Sequence, residues 1–230
     1  ITPNRRLATA LKREFDGFQA ARGVLVWDSA DILPISAFMV RLYEDALYSD
    51  QGGHLPTLLT SAQEQVVWEN VISHSDEGAA LLSVPETAQL AREAWEIAHA
   101  WRLIPRLRNS PLNEDCKAFQ DWSGRYEKIT AGGRQIDIAR LGDLAAGFYA
   151  STEVSKPARL ICYGFDIVTP QQARFLASLA ETGCEVMLSE PQPQLEYRGR
   201  NLRRVESPDR EDEVYRAAVW ARARIEGNGA

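Results

Sequence analysis

The sequence predicts an α/β fold in which an open, mostly parallel sheet is interrupted by a helical insertion. Apolar runs rich in strand-forming residues lie near both ends of the chain, at positions 24–27, 159–163 and 184–188. Amphipathic helix patterns with their own capping residues fill the stretch from 34 to about 150. The last two apolar runs flank one helix with short connections, which predicts a parallel strand–helix–strand unit.

The composition is that of a folded protein and sets the expected domain boundaries. The 230 residues are 45% hydrophobic and 25% charged, and no apolar run approaches the roughly 20 residues that cross a bilayer. The three cysteines lack the C-x-x-C spacing of metal or redox sites. We therefore expect a cytoplasmic protein without membrane contact. The predicted α/β core comprises residues 1–33 and 158–230, and the helical insertion subdomain comprises residues 34–157.

The N-terminal part is predicted to be strand–helix–strand. Residues 1–4 have the pattern of a strand end, and a helix begins near Arg5. Residues 24–27 predict a short buried strand, and Pro34 opens the next helix. The first helix has one apolar face, formed by Leu7, Leu11, Phe15 and Phe18.

Capping patterns divide the insertion into successive helices. Ser61 with Glu64 and Ser83 with Glu86 both fit the capping-box spacing, and Asp137 is placed to cap a later helix. A further helix is predicted from about 113 to 131. The helix after Ser83 has a clean amphipathic stripe, formed by Leu90, Ala94, Ile97 and Trp101.

The C-terminal part repeats the strand–helix–strand order. The run at 159–163 has the continuous apolar character of a strand buried on both faces. Thr169 and Gln172 fit a capping box, and residues 202–205 suggest one more strand before a final helix. The helix after Thr169 is predicted to pack through Ala173, Leu176, Ala177 and Ala180, and the final helix through Val214, Ala217, Ala218, Ala221 and Ile225.

None of the common nucleotide-binding or hydrolase motifs occurs in the chain. No lysine follows a glycine, so the phosphate loop G-x-x-x-x-G-K-[ST] is missing. The patterns G-x-G-x-x-G, G-x-S-x-G and H-E-x-x-H are missing as well. The sequence therefore predicts no catalytic residue, metal site or cofactor within these 230 residues.

The segment 2–8 is a candidate phosphate-binding segment. A strand end followed by a helix N-terminus presents free amide groups and a favourable dipole to an anion. Up to Arg22 the chain has five basic and two acidic residues, whereas the whole chain carries a net charge of −6. The alternative interpretation is a solvated helix face. The candidate contacts to the DNA backbone are Thr2, Asn4, Arg5, Arg6, Lys12 and Arg13.

The segment 160–166 is the second informative stretch. In nucleotide-hydrolysing α/β domains, carboxylates that follow a buried strand hold Mg²⁺ at the C-terminal edge of the sheet. Here this edge has Gly164 and Asp166 instead of an Asp-Glu pair. The alternative interpretation is that Gly164 makes a turn and Asp166 binds nearby amide groups.

Three stretches together resemble a known family. They are TPNRRLA at 2–8, WDSADILP at 27–34 and GFD-x-x-TPQQ at 164–172, of which the last is the most specific. In this order they resemble the N-terminal region of a bacterial family of probable DNA repair proteins that is similar to AddB, the nuclease-bearing partner of a superfamily 1 helicase. The resemblance covers nearly the whole chain.

The resemblance implies a helicase-like, P-loop NTPase-type fold whose ATPase motor has degenerated, followed by a PD-(D/E)XK nuclease domain. It places residues 2–6 at a DNA-contacting motif, and Gly164 and Asp166 at a degenerate Walker B position. The implied partners are DNA through its backbone, a helicase-type protein, and the nuclease domain in cis. The expected function is a non-catalytic module in DNA repair and recombination that binds or positions DNA and docks a helicase partner. This interpretation requires residues 1–4 and 160–163 to share one sheet.

Two other functions stay open on the sequence. One is an ATP-dependent helicase–nuclease subunit whose phosphate loop lies upstream of residue 1. The other is a domain that binds only proteins. Exonuclease activity of the full-length protein also stays open, since these residues contain no catalytic motif.

Overall fold

A computed structural model of the protein describes residues 1–49, 52–109, 113–148, 156–189 and 205–227. The chain divides into two compact units, Ile1–Glu190 and Pro191–Ala230, and each is described by itself. The helices are α1 Arg5–Ala21, α2 Ile35–Leu47, α3 Ser61–Ser73, α4 Val84–Ala100, α5 Ile104–Asn109, α6 Glu114–Gly132, α7 Ile138–Phe148, α8 Pro170–Glu181 and α9 Arg210–Gly227. The strands are β1 Thr57–Leu58, β2 Gln135–Ile136, β3 Arg159–Tyr163 and β4 Glu185–Ser189.

Strands β3 and β4 form the parallel pair that the sequence predicts, connected through α8. Ile1 lies beside β3, because the amide of Tyr163 donates to the carbonyl of Ile1 at 2.9 Å. Thr2 in turn pairs in parallel with Pro34. Backbone hydrogen bonds therefore join Ile1 to β3, whereas among residues 1–4 no further residue pairs with β3, and the sheet itself consists of β3 and β4. The fold is mixed α/β, and within the described ranges it has two small parallel sheets, β3–β4 and β1–β2, instead of one large open sheet.

The first hydrophobic core lies between one face of β3 and the helices α2, α7 and α8. Leu160 and Cys162 of β3 are buried in it, together with Phe38 of α2, Leu141 of α7 and Phe175 of α8. Both α2 and α7 come from the segment that the sequence assigns to the insertion. Both helices contribute buried residues to the core that they share with β3 and α8.

The prediction that β3 is buried on both faces is wrong. Burial alternates along the strand, and Ile161 and Tyr163 are about half exposed, at 51% and 46%. The reason is geometric: successive side chains of a strand point to opposite faces, and only the face toward α2, α7 and α8 is fully covered. A continuous apolar run therefore does not by itself show that both faces of a strand are buried.

The second core is aromatic and lies between α3, α4 and α6. The ring of Trp68 stacks on that of Tyr126, with centroids 4.1 Å apart, and Trp95 meets both rings edge to face. Such aromatic pairs contribute about 0.5–1.5 kcal/mol each beyond the area that they bury. Trp122 is also buried there, and its indole nitrogen donates to the Ser75 hydroxyl at 2.9 Å.

The strand predicted at 24–27 does not form. Gly23, at φ +75°, ends the α1 region, and the following Leu25 and Val26 are 93% and 87% exposed. The Trp27 indole nitrogen instead donates to Asp16 of α1 at 2.8 Å. A strand needs a neighbour to satisfy its backbone, and these residues pair with no other strand of the described chain.

The predicted apolar stripe of α4 points outward. Leu90, Ile97 and Trp101 are exposed, whereas the side of the helix that contains Trp95 is buried. That buried side otherwise consists of alanines, which let α3 and α7 approach closely. The packing of Trp95 against Trp68 and Tyr126 therefore determines which face of α4 is buried. The buried residues of α4 are Ala88, Ala91, Trp95 and Ala98.

The predicted faces of three other helices are only partly correct. In α8 the core residues are Phe175, Leu176 and Leu179 instead of the predicted alanines Ala173, Ala177 and Ala180. In α1, Leu7, Leu11 and Phe15 are half-buried and Phe18 is exposed. In α9 the predicted face is not buried, because Val214, Ala217, Ala218 and Ala221 are all exposed.

Most predicted caps are confirmed. Thr169 and Gln172 form a reciprocal capping box at α8, and Ser83 and Asp137 accept from amides of the helices that they precede. The box predicted at Ser61 lies one residue earlier, at Thr60 with Gln63, because Ser61 is already helical. The strand predicted at 202–205 falls largely outside the described residues. Within the described ranges, every helix is too short or too polar to traverse a lipid bilayer.

Candidate nucleic-acid interface

The two segments that the sequence singled out meet in one shallow cleft. Strand β3 and the strand-like residues 1–2 run in the same direction, so their C-terminal ends lie at the same edge of the sheet. In open parallel sheets, ligands bind at this edge. The cleft is lined by Pro3, Asn4, Arg6, Leu7 and Ala10 from the first segment and by Gly164, Asp166 and Ile167 from the second.

Asn4 determines where α1 begins. Its backbone is extended, with φ −149°, and its side-chain oxygen accepts from the amide of Leu7 at 2.9 Å. This leaves the amide groups of Arg5 and Arg6 at the open end of the helix, where an intrahelical acceptor does not exist. The sequence prediction of a helix N-terminus at this position is confirmed.

Thr2 holds this corner together from the inside. It is fully buried, its hydroxyl donates to the carbonyl of Asn4 at 2.9 Å, and its amide donates to the carbonyl of Leu33 at 2.9 Å. A side chain without exposed surface does not reach a phosphate from solution. The structure therefore gives Thr2 a positioning role and leaves the proposed backbone contacts to the exposed residues.

The four basic candidates lie on the outward side of α1. At about 100° per residue, Arg5, Arg6, Lys12 and Arg13 fall within an arc of roughly 120°, opposite the half-buried apolar side chains. The three arginines are exposed, and none of them forms an ion pair with a carboxylate of the described chain. Lys12 is half-buried and lies within electrostatic reach of Asp31.

Asp31 is engaged by another arginine. A hydrogen bond from Arg41, 2.7 Å away, is the main reason that the pKa of Asp31 is lowered, and Lys12 lowers that pKa further. Part of the charge of Lys12 is therefore balanced within the protein. The excess positive charge of α1 resides mainly on Arg5, Arg6 and Arg13.

Gly164 is required by its backbone and by its neighbour. Its φ is +75°, a region that residues with a Cβ rarely adopt, and a Cβ here would lie 2.5 Å from Leu7 Cδ2. This close approach seats α1 on the end of β3. The alternative interpretation from the sequence, a turn at Gly164, describes this geometry.

Asp166 lies in the cleft and is exposed. Its carboxylate lines the same cleft as Arg6, but no ion pair joins the two side chains within the described chain. No group of three or more metal-ligating side chains occurs among the residues with described positions.

The glutamines of the TPQQ stretch are structural. Gln172 completes the cap of α8, and the buried Gln171 donates to the carbonyl of Ala139 at 2.7 Å and to Asp143 at 2.9 Å. These bonds join the start of α8 to α7. The most specific part of the family resemblance therefore includes residues that fix helix packing.

A buried polar network in the helical part was not predicted from the sequence. Glu64, Tyr126 and Asp137 are almost fully buried, and Arg140 is bound to Asp137. The spacing from Ser61 predicts Glu64 to be a capping residue, but the structure places it in the core and forms the cap from Thr60 and Gln63. A usable indication was present in α6, where buried residues recur every four positions at Ala118, Trp122, Tyr126 and Thr130.

No protein-family model matches this chain, and no curated protein matches it significantly.

Proposed function

We propose that this chain is a non-catalytic, helicase-like module of a DNA repair nuclease, which positions DNA along α1 and docks a helicase partner. The observation that carries the proposal is the basic outer side of α1, where Arg5, Arg6 and Arg13 have no carboxylate partner among the described residues. The start of this helix lies at the C-terminal edge of a parallel sheet. Backbone phosphates are the ligand that arginine side chains and free helix amides recognise together.

The proposal predicts salt-sensitive DNA binding that depends on two arginines. Fluorescence anisotropy with a labelled duplex at several salt concentrations measures both affinity and salt dependence. For the double variant Arg5→Ala and Arg6→Ala, we expect the slope of log affinity against log salt to fall by about two, because each lost phosphate contact releases about one counterion fewer. The chain should hydrolyse no ATP.

A matched control removes two arginines that are already paired. Arg216 and Arg222 of α9 bind Asp212 and Glu226, each four residues away on the same helix. The double variant Arg216→Ala and Arg222→Ala changes the net charge equally and should keep the original slope. Equal losses in both double variants would reject the α1 surface and indicate a nonspecific charge effect.

A second function, binding of a protein partner alone, is favoured by one observation. Leu90 and Ile97 of α4 and the adjoining Trp101 are large apolar side chains that are exposed, and exposed apolar surface can mark an interaction site. If this is the sole function, duplex DNA does not bind even at low salt. The anisotropy experiment separates the two proposals.

A further inference from the structure

Two buried carboxyl groups face one tyrosine hydroxyl in the helical part of the molecule. Glu64 of α3 is 1% exposed, and Asp137, which precedes α7, is fully buried. The hydroxyl of Tyr126, from α6, lies 3.4 Å from Oε1 of Glu64, and the same hydroxyl interacts with the carboxylate of Asp137. Helix α3, helix α6 and the residue before α7 therefore contribute one connected group of buried polar side chains inside the aromatic core.

Only Asp137 has strong partners for a negative charge. Nε of Arg140 donates to Oδ2 at 2.7 Å, and the backbone amide of Arg140 donates to Oδ1 at 3.0 Å. The indole nitrogen of Trp95 adds a third hydrogen bond at 3.2 Å. Charge-assisted bonds of this kind make Asp137 the stable carboxylate of the pair.

Glu64 lacks a comparable set of donors. Within the described residues, its side chain has one hydrogen-bond partner, the Tyr126 hydroxyl. From α4, Glu96 and Arg92 also face it: the charge of Glu96 raises the pKa of Glu64, and the charge of Arg92 lowers it. The Nε of Arg92 is buried and forms no hydrogen bond, so this guanidinium does not bind Glu64 through that atom. An ionised carboxylate with so few donors is costly inside a protein.

The number of hydrogen-bond donors available to the two carboxyl groups indicates which of them is protonated. A hydroxyl donates one hydrogen bond, so Tyr126 satisfies one of the two carboxyl groups and turns its oxygen toward the other. If both carboxyl groups are ionised, one of them faces a lone pair. If Glu64 carries a proton, every side chain in this group has a partner.

We propose that Glu64 is a protonated, neutral acid in the folded protein and forms, with Tyr126 and Asp137, a directed hydrogen-bond relay that latches α3 to α6 and α7. The Glu64 O–H donates to the tyrosine oxygen, and the tyrosine O–H donates to Asp137. Without the Glu64 proton, the single hydrogen of the Tyr126 hydroxyl serves only one of the two carboxylates, so one bond of the relay is lost and the latch loosens. This inference is independent of DNA binding.

The electrostatics agree with this geometry. Burial, followed by the charge of Asp137, raises the pKa of Glu64 to about 7 from an ordinary value of 4.5. A carboxyl group whose pKa is higher in the folded than in the unfolded chain stabilises the fold fully at low pH. Its contribution is lost as the pH rises through the two pKa values, between about 4.5 and 7.

The test compares the full chain with Glu64→Gln across this range. The amide of glutamine donates to Tyr126 and does not titrate, so the relay persists at every pH. From about pH 5 to pH 8, the unfolding equilibrium constant of the unchanged protein should rise relative to that of E64Q, by a factor on the order of a hundred. Urea denaturation monitored by tryptophan fluorescence gives both constants.

Glu93→Gln is the matched control. Glu93 is exposed on α4, so E93Q removes the same charge without altering the relay and should follow the pH curve of the unchanged protein. Infrared spectroscopy supplies an independent measurement, because a protonated carboxyl has a carbonyl stretch that a carboxylate lacks. We expect this band near pH 6, and we expect it to be absent in E64Q.

If E64Q does not fold, Tyr126→Phe replaces it in the infrared experiment. Loss of the tyrosine oxygen removes the acceptor of the Glu64 proton, so the carboxyl band should shift to higher frequency. Parallel pH curves for the unchanged protein and E64Q would overturn the proposal. An infrared band near pH 6 that is absent, or that neither variant alters, would overturn it as well.

Discussion

Replacing Gly164 with alanine tests whether the seating of α1 on β3 depends on the missing side chain. Two costs follow from the structure. A residue with a Cβ at φ +75° costs about 1–2 kcal/mol. The new methyl group would also lie 2.5 Å from Leu7 Cδ2, which forces this half-buried side chain to move and costs about 1 kcal/mol more. We expect Gly164→Ala to lower the free energy of unfolding by about 2–3 kcal/mol.

Gly183 provides the matched control for the backbone cost. It has φ +96°, and a Cβ at this position would meet no atom within 4 Å. Gly183→Ala should therefore cost only the conformational part, about 1–2 kcal/mol. Urea denaturation of both variants gives the difference. In a double-mutant cycle, Leu7→Ala should remove the extra cost of Gly164→Ala, with a coupling energy of about 1 kcal/mol.

Two outcomes would refute this reasoning. Gly164→Ala would cost no more than Gly183→Ala, or the Leu7→Ala background would leave the difference unchanged. In either case Leu7 does not constrain Gly164, and the cleft at the start of α1 owes its shape to other contacts. If Gly164→Ala loses the predicted stability but binds DNA with unchanged affinity, the packing of α1 on β3 is not needed for the proposed DNA binding.

Two further predictions concern single interactions. Asp137→Asn keeps the volume and a cap acceptor but leaves Arg140 without its carboxylate in a largely buried position, so we expect a loss of about 3 kcal/mol in urea denaturation. An unchanged midpoint would show that water compensates the arginine. Thr169→Ala removes the side chain that accepts from the amide of Gln172 and should cost about 1 kcal/mol by the same measurement. A loss well below that value would mean that the cap of α8 is supplied by Pro170 and the backbone.

The sequence predicted features that depend on neighbours within a few residues. The cap of α8 at Thr169 and Gln172 and the start of α7 after Asp137 are confirmed, because a capping bond joins residues only two or three positions apart. The parallel pairing of β3 and β4 is confirmed for a related reason. A strand that continues into a helix and returns after a short connection has few ways to pair.

The sequence also predicted the basic side of α1, but it did not predict how the residues beneath that helix pack. The spacing of Arg5, Arg6 and Arg13 follows from the helical repeat alone. That Thr2 is buried beneath them, with its hydroxyl engaged by Asn4, depends on how the chain returns at residues 33–34. A local pattern does not contain that contact.

Burial was the part that the tertiary structure decided. In α4, an apolar stripe with Leu90 and Ile97 is exposed, whereas the face of alanines around Trp95 is buried because Trp95 packs against rings of α3 and α6. Glu64 became a core residue because α6 supplies Tyr126 opposite it, 62 positions along the chain. Short-range periodicity and capping are properties of one segment, whereas burial is a property of the surfaces that two segments share.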